Sequence, residues 1–246
     1  MPKSPQGVAA VDRALSILAA YSPDDSALTL SELANRTGLY KSTILRLIAS
    51  LERRGCILRI ESGAYQLGPT LVRWGSLYIA SVKIETHVMP ALQRLSRDTG
   101  ECASFFVRHG SVRICLAHVD CPHPLRDHVN VGDVLPLERG SGGKVLTAFD
   151  QTAGDRSRAP KSMVIGSARE IDPHASGLSA PVFGPGGELR GALSLSGPGT
   201  RFTEAAMPRF TRALLGAAIE ITRRLGGDPA ALEEAAGVRR RSSAVA

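Results

Sequence analysis

Apolar positions in the first third of the chain recur at helical spacing, and each predicted helix carries its own punctuation. Over Val8–Tyr21, Val11, Ala14, Leu15 and Leu18 share one side, and Ser22-Pro23-Asp24-Asp25 closes the segment. Thr29 with Glu32 three residues on has the form of a capping box. Leu30, Leu33 and Ala34 form the apolar side behind it, and Gly38 stands where a left-handed residue ends a helix. In the next helix Ile44, Leu47, Ile48 and Leu51 fall at i, i+3, i+4 and i+7, while Lys41, Ser42, Thr43, Arg46, Ser50 and Arg53 take the other side. Cations and short hydroxyls at the amino end of a helix suit phosphates and base edges in a major groove. The plainer reading is a helical hairpin with a solvated basic face. The period then falls to two: Cys56–Ile60 and Ala64–Leu67 flank the turn Glu61-Ser62-Gly63. A β-hairpin directly after such a helix is a wing, so Val8–Gly68 is predicted to be a winged helix-turn-helix.

Gly68-Pro69 marks a boundary. Beyond it Leu71, Trp74, Leu77 and Tyr78 make an apolar stripe on a helix running to about Val82, which needs a partner surface on its own second domain or on another subunit. A helix over Glu85–Thr99 carries Val88, Leu92 and Leu95 and stops at Gly100. Strands follow at Glu101–Arg108 and Ser111–Val119, joined at His109-Gly110, with a further strand read at Arg126–Val131. Ser141–Phe149 reads as a short helix and Ala153–Lys161 as a polar loop. Met163–Ser167, Gly177–Phe183 and Leu189–Ser196 read as strands. A last helix spans roughly Glu204–Leu225, with Phe210, Leu214, Ala217 and Ile221 inward and Pro208 delaying its start. Strands paired as hairpins between helices indicate an α+β domain around an antiparallel sheet. The tail from Asp228 lacks a core pattern and is expected to be disordered. The expected organisation is a DNA-binding domain over 1–68, a linker helix over 69–84, a second domain over 85–226 and a tail over 227–246.

Composition narrows this picture. With 43% hydrophobic and 22% charged residues the 246-residue chain is expected to be globular and soluble. A formal charge of +7 favours polyanionic partners, although Arg239, Arg240 and Arg241 supply part of it. Cys56, Cys102, Cys115 and Cys121 form no C-x-x-C pair and are expected as buried free thiols. No apolar run approaches a membrane span and Met1–Gly7 lacks a signal-peptide core, so a cytoplasmic protein with no membrane partner is expected. His118, His123 and His128 cluster with Cys115 and Cys121, but Pro122 and Pro124 spoil any regular ligand spacing, and no metal or cofactor is expected.

The most suggestive chemistry outside the first domain is Ser141-Gly142-Gly143-Lys144. As a P-loop it fails, because Glu138 replaces the leading glycine and Val145 the metal-binding hydroxyl. As S-x-x-K it could supply an acyl-transfer nucleophile, but no companion motif accompanies it. Small residues at a helix start also expose amides that attract a carboxylate without catalysis. Close packing is the remaining reason for the two glycines. Ser194 and Ser196 alternate with Leu193 and Leu195, which puts both hydroxyls on one side of a strand.

Several stretches, in order, resemble the IclR family of bacterial transcription regulators: VDRALSIL, LTLSELANRTGLYKSTILRLIASLERRG, GAYQLGP, HPLRDHVNVGDVLPL, SGGKVL and APVFGPGGELRGALSLSGPGTRFTE. The likeness covers about Val8 to Gly226. It implies a winged helix, a linker helix and a GAF-like carboxy-terminal α/β domain binding small organic acids or aromatic catabolites. It also implies homodimers or dimer-of-dimers tetramers. The resemblance places Ser141, Gly142, Ser167, Gly177, Ser194 and Ser196 around the ligand, with Arg126, Glu170 and Asp172 as polar neighbours; the anion-cradle reading adds Gly143. The chain departs from the family pattern at Tyr40, where many members have proline, and in a shortened segment between Phe149 and Ser167. Together these readings point to a ligand-responsive regulator, not an enzyme, that binds an inverted-repeat operator in double-stranded DNA and a carboxylate effector. Lys41, Ser42, Thr43 and Arg46 are the expected groove contacts, and Arg13, Arg53 and Arg59 the expected phosphate contacts. An S-x-x-K hydrolase with an accessory winged helix is the competing class, and a GAF-like sensor acting by protein contact a third.

Overall fold

The computed structural model describes residues 7–81, 83–126, 129–150, 160 and 162–238, and of Glu85 only the backbone. Its contacts group into two compact units, Met1–Ser81 and Val82–Ala246.

The first unit holds α1 (Ala9–Leu18), α2 (Leu30–Thr37), α3 (Lys41–Arg53), the hairpin β1 (Ile57–Arg59) and β2 (Tyr65–Leu67), and α4 (Thr70–Ser81). The capping box forms: the Glu32 amide donates to Thr29 Oγ1 at 3.2 Å, and the Thr29 amide donates to Glu32 Oε2 at 2.7 Å. Gly38 ends α2 with φ of 69°, a conformation glycine adopts without strain. Ile17, Leu28, Leu33, Ile44, Ile48, Ile57 and Tyr65 form one core that joins all three helices to the wing. The face expected for α1 needs correction. Val11 and Leu15 are exposed, and Ile17 is the buried residue. Apolar residues stand on more than one side of α1, and its packing on α3 selects the side bearing Ile17. The helix also stops at Leu18, short of Tyr21, whose hydroxyl donates to the Tyr65 carbonyl at 3.0 Å. Burial, then the nearby Asp25, pushes the Tyr21 phenol up to about 12.

In the second unit a π-helical turn over Ile84–Val88 leads into α5 (Met89–Thr99). The sheet has six strands in the order β5-β4-β3-β8-β7-β6, each neighbour pair antiparallel. These are β3 (Cys102–His109), β4 (Val112–Val119), β5 (Val134–Pro136), β6 (Ile165–Ala168), β7 (Ala175–Phe183) and β8 (Leu189–Pro198), with α6 (Ser141–Ala148) before β6 and α7 (Met207–Arg224) after β8. On the face shown by Phe106, Cys115 and Ala192, α6 buries Val145 and Leu146. Leu193 and Leu195 point the other way and are fully buried, which requires a second helical layer; α5 and α7, packed on each other and on the sheet, supply it. All four cysteines are buried thiols outside any disulfide. Among the described residues no helix is long and apolar enough to cross a membrane.

Two expectations fail here. Arg126 and Val129–Val131 are not strand; an Asn130–Asp133 turn, with Gly132 at φ of 95°, reverses the chain and β5 pairs with β4 instead. The tail is also not wholly without structure. Ala230–Ala235 forms α8, because Leu232 finds a buried seat and Glu233 pairs with Arg223. The loop expected over Ala153–Lys161, apart from Pro160, and the arginines at 239–241 lie outside the described residues.

Candidate functional site

Burial of Ile44 and Ile48 fixes which side of α3 meets solvent. That side presents Lys41, Ser42, Arg46, Ser50 and Arg53 in the open and Thr43 half-buried. Tyr40 leads into the helix in extended conformation without a side-chain cap. The first amides of α3 are therefore open to an anion. Lys41 Nζ donates to Ser31 Oγ at 2.8 Å and Arg53 Nη2 to Ser50 Oγ at 3.2 Å, so both cations are steered by neighbours on the same surface. On the wing, Arg59 is exposed with its guanidinium 5.9 Å from the Tyr65 ring centre, and Arg13 is exposed on α1. Tyr40, 85% exposed at the head of this face, is an aromatic neighbour that the charge pattern did not single out.

The second unit contains a cavity of about 450 Å³ whose wall includes Ser141, Gly142, Ser167, Gly177, Ser194, Ser196 and Arg126. Register explains the grouping. Ser167 pairs with Gly177 and Gly177 with Ser196, one row across β6, β7 and β8, while Ser179 pairs with Ser194. A Cβ at Gly177 would stand 3.1 Å from Ser141 Oγ, so the glycine lets α6 approach the sheet. Leu125, Val129 and Leu135 supply apolar wall. Arg126 Nε pairs with Asp120 at 3.0 Å, and Asp172 accepts from the His174 amide at 2.6 Å.

Three features correct the sequence reading. Gly143 is absent from the cavity wall. A Cβ at Gly143 would lie 2.2 Å from the Leu137 carbonyl oxygen, so a side chain there would collide with it, and close packing accounts for this glycine. The helix start is also less open than an anion cradle requires. The Gly140 amide donates to Glu170 Oε2 at 3.0 Å and the Ser141 amide to Ser167 Oγ at 2.9 Å. Lys144, then the Gly140 amide, holds the Glu170 carboxyl below its ordinary range. Lastly, no free base stands beside Ser141 among the described residues: Lys144 Nζ is engaged by Glu170, and Ser141 Oγ accepts from Ser179 at 2.8 Å.

Two residues of this site escaped the sequence reading. Ser179, fully buried on β7, also shares a 2.6 Å hydrogen bond with Ser194. Arg113, on β4, is 4% exposed yet lines the cavity. The signal for Arg113 was an arginine inside the apolar run Val112–Val119; none marked Ser179. Among the described residues Cys102, His118 and Asp120 bring ligand atoms within 4.8 Å of one another, a different trio from the sequence cluster. His118 Nδ1 is already bonded to Ser104 Oγ at 2.9 Å, and Cys102 Sγ accepts from the Cys121 amide at 3.3 Å. His128 lies outside the described residues.

Comparison with known proteins identifies this arrangement. Residues 10–59 match the model of the IclR helix-turn-helix domain, and residues 76–161 match that of the bacterial transcriptional regulator IclR C-terminal domain, together more than half of the chain. The chain belongs to the IclR family. Among IclR-type relatives, the HTH-type transcriptional regulator KipR of Bacillus subtilis is 26% identical over 81% of this chain and 90% of its own. An IclR transcriptional regulator from Alicyclobacillus acidocaldarius has the same fold, with a TM-score of 0.75 at 22% identity over 90% of this chain and 100% of that one. So does an IclR homolog from Microbacterium hydrocarbonoxydans, solved with 4-hydroxybenzoate, with a TM-score of 0.74 at 20% identity over 88% and 99%. Such IclR relatives are transcriptional regulators, not enzymes, and the chain is an IclR-type regulator that binds DNA through its helix-turn-helix.

Proposed function

We propose that this regulator binds an inverted-repeat operator as a symmetric oligomer in the cytoplasm and is controlled by a small carboxylate held in the cavity of its second unit. The observation that carries the DNA reading is the orientation of α3. Ile44 and Ile48 lock it to the core and leave Lys41, Ser42, Thr43 and Arg46 outward as groove contacts, with Arg13, Arg53 and Arg59 toward phosphates. Residues 1–68 form the reader and 69–84 the link. Residues 85–226 form the sensor, where Ser141, Gly142, Ser167, Gly177, Ser194, Ser196 and Arg126 surround the effector.

Two observations support an oligomer joined through α4. No residue of that helix is buried, and Val72, Trp74, Leu77 and Tyr78 are exposed along it. The 4-hydroxybenzoate in the Microbacterium homolog supports an aromatic or other small acid as the ligand class. Response is a population shift: an effector that fits one arrangement of the paired winged helices better changes their spacing.

Footprinting on the DNA upstream of the chain's own gene tests the proposal. The expected result is two half-sites about one helical turn, roughly 34 Å, or a multiple apart, with affinity falling steeply as salt rises. A protected region without two-fold symmetry, or binding indifferent to salt, overturns it.

A further inference from the structure

Arg113 is held in an unusual electrostatic position. It lies on β4 opposite Leu135 of β5 and Arg108 of β3, with its guanidinium 5.0 Å from the centre of the Phe106 ring. Nη1 donates to the carbonyls of Pro136 at 3.1 Å and Arg139 at 2.6 Å, while buried Nε has no partner. No carboxylate among the described residues forms an ion pair with it. Burial pushes its pKa down to about 10, which leaves it cationic at neutral pH. An uncompensated buried charge is costly to a fold. Elsewhere in the same unit the chain meets that cost directly: buried Glu101 accepts from Arg201 Nε at 2.6 Å and Nη2 at 2.8 Å.

The glycines beside Arg113 sharpen the contrast. A Cβ at Gly140 would come 3.0 Å from Nη2, one at Gly143 2.5 Å from Nη1, and one at Gly142 3.7 Å from Nε and 3.1 Å from Ser194 Oγ. The bare backbone at the start of α6 therefore makes room for the guanidinium. Phe106, Gly142 and Ser194 surround it, and all three line the cavity with Arg113. Of the cavity carboxylates, Glu170 is engaged by Lys144, Asp172 by the His174 amide and Asp133 by the Asn130 amide, so none answers the charge on Arg113.

We propose that Arg113 is the charge-recognition residue of the cavity, and that a carboxylate of the effector supplies the countercharge that no described residue provides, beside Ser194 and Gly142. This rests on reading the cavity as the effector site. It assigns the main electrostatic role to a strand arginine rather than to the helix start, whose amides are partly taken. The ligand must carry a full negative charge at that end, and a neutral isostere of the same shape must bind poorly. Phe106 and the apolar wall then favour a compact or aromatic remainder.

Calorimetry on the full chain tests this with benzoate, 4-hydroxybenzoate and pyruvate against benzamide, 4-hydroxybenzamide and pyruvamide. The variants are Arg113→Met, Arg113→Lys and Ser194→Ala with Ser196→Ala. At least one acid is expected to bind the parent at least tenfold more tightly than its amide, a difference of about 1.4 kcal/mol. Arg113→Met should abolish that preference by weakening the acid alone, whereas Arg113→Lys should keep the preference at reduced affinity. Should Arg113→Met fail to fold, Arg113→Lys and the acid–amide comparison in the parent decide the matter. Amides that bind as well as acids, or an Arg113→Met protein that keeps the preference, would reduce Arg113 to a brace for the 136–139 carbonyls while the cavity reading survives. An acid that binds the Ser194/Ser196 double variant as tightly as the parent overturns the cavity reading itself. If none of the six compounds binds the parent, both fall.

Discussion

Replacing Ser179 with alanine isolates the hydroxyl that ties α6 to the sheet. Its Oγ is fully buried, donates to Ser141 Oγ at 2.8 Å and shares a 2.6 Å bond with Ser194 Oγ. The substitution removes one oxygen, so the cavity contribution is small, and the strand backbone is unaffected. The loss is therefore polar. Each neutral hydrogen bond contributes about 0.5–1.5 kcal/mol net, and a buried partner left unsatisfied costs about 1–3 kcal/mol. Two such partners remain, Ser141 at 6% and Ser194 at 4% exposure, but the open cavity offers water to both. We expect a destabilisation of about 2 kcal/mol confined to the second unit, which lowers its melting temperature by roughly 4–8 °C for a domain of this size. The single tryptophan, Trp74, lies in α4 of the first unit, so its fluorescence is the wrong probe. Scanning calorimetry combined with amide exchange along β7 and α6 reads the effect directly. A loss below about 0.5 kcal/mol, or an effect shared equally by both units, would refute the claim that this hydroxyl chain holds α6 in place.

Arg46→Ala should weaken specific DNA binding by about 1–3 kcal/mol and relax preference at one base position, as a binding-site selection would show; uniform weakening would make Arg46 a phosphate contact. Trp74→Glu should loosen the oligomer in sedimentation while each unit stays folded, and an unchanged oligomer would place Trp74 against its own subunit. Asp25 is held below the ordinary carboxylate range chiefly by Arg36, with help from Ser22. A depressed folded pKa contributes stability that is complete above the unfolded value, near 4, and is lost as pH falls through the folded one. Asp25→Asn should therefore flatten the acid limb of the first unit's unfolding curve, measured by circular dichroism, and lower stability at neutral pH.

What could be read from the chain divides by the range of the interaction. The Thr29–Glu32 box, Gly38 and the Ile44–Leu51 stripe lie within one or two turns of their partners, and the fold reproduces them. The α1 face did not follow from spacing, because Val11 and Leu15 recur as regularly as Ile17 and only the contact with α3 chooses between them. The strand expected at Arg126–Val131 lost to turn chemistry at Asn130–Asp133, and a lone Leu232 nucleated structure in a segment without a core pattern. Ser141, Gly142, Ser167, Gly177, Ser194 and Ser196 of the cavity wall were named through the family's order of motifs, which carries long-range information that no local pattern holds. Ser179 was invisible for the same reason, and Arg113 showed only as a charge inside an apolar run. Their importance lies in a countercharge that no described residue supplies and in a cross-strand partner, both defined only once β4, β7 and β8 are assembled.

The strand that carries Ser167 ends the six-stranded sheet, and β6 is four residues long with a neighbour on one side only among the described strands. Such a margin opens more readily than the interior, so its amides belong to the least protected class of the domain. Yet that margin supplies one end of the row that floors the cavity. A molecule bound there gains its full contacts only while β6 is closed, so occupancy raises the free energy of fraying. The second unit thus carries a built-in recorder: slowed deuterium uptake at residues 165–168 reports a filled cavity without the identity of the occupant being known in advance.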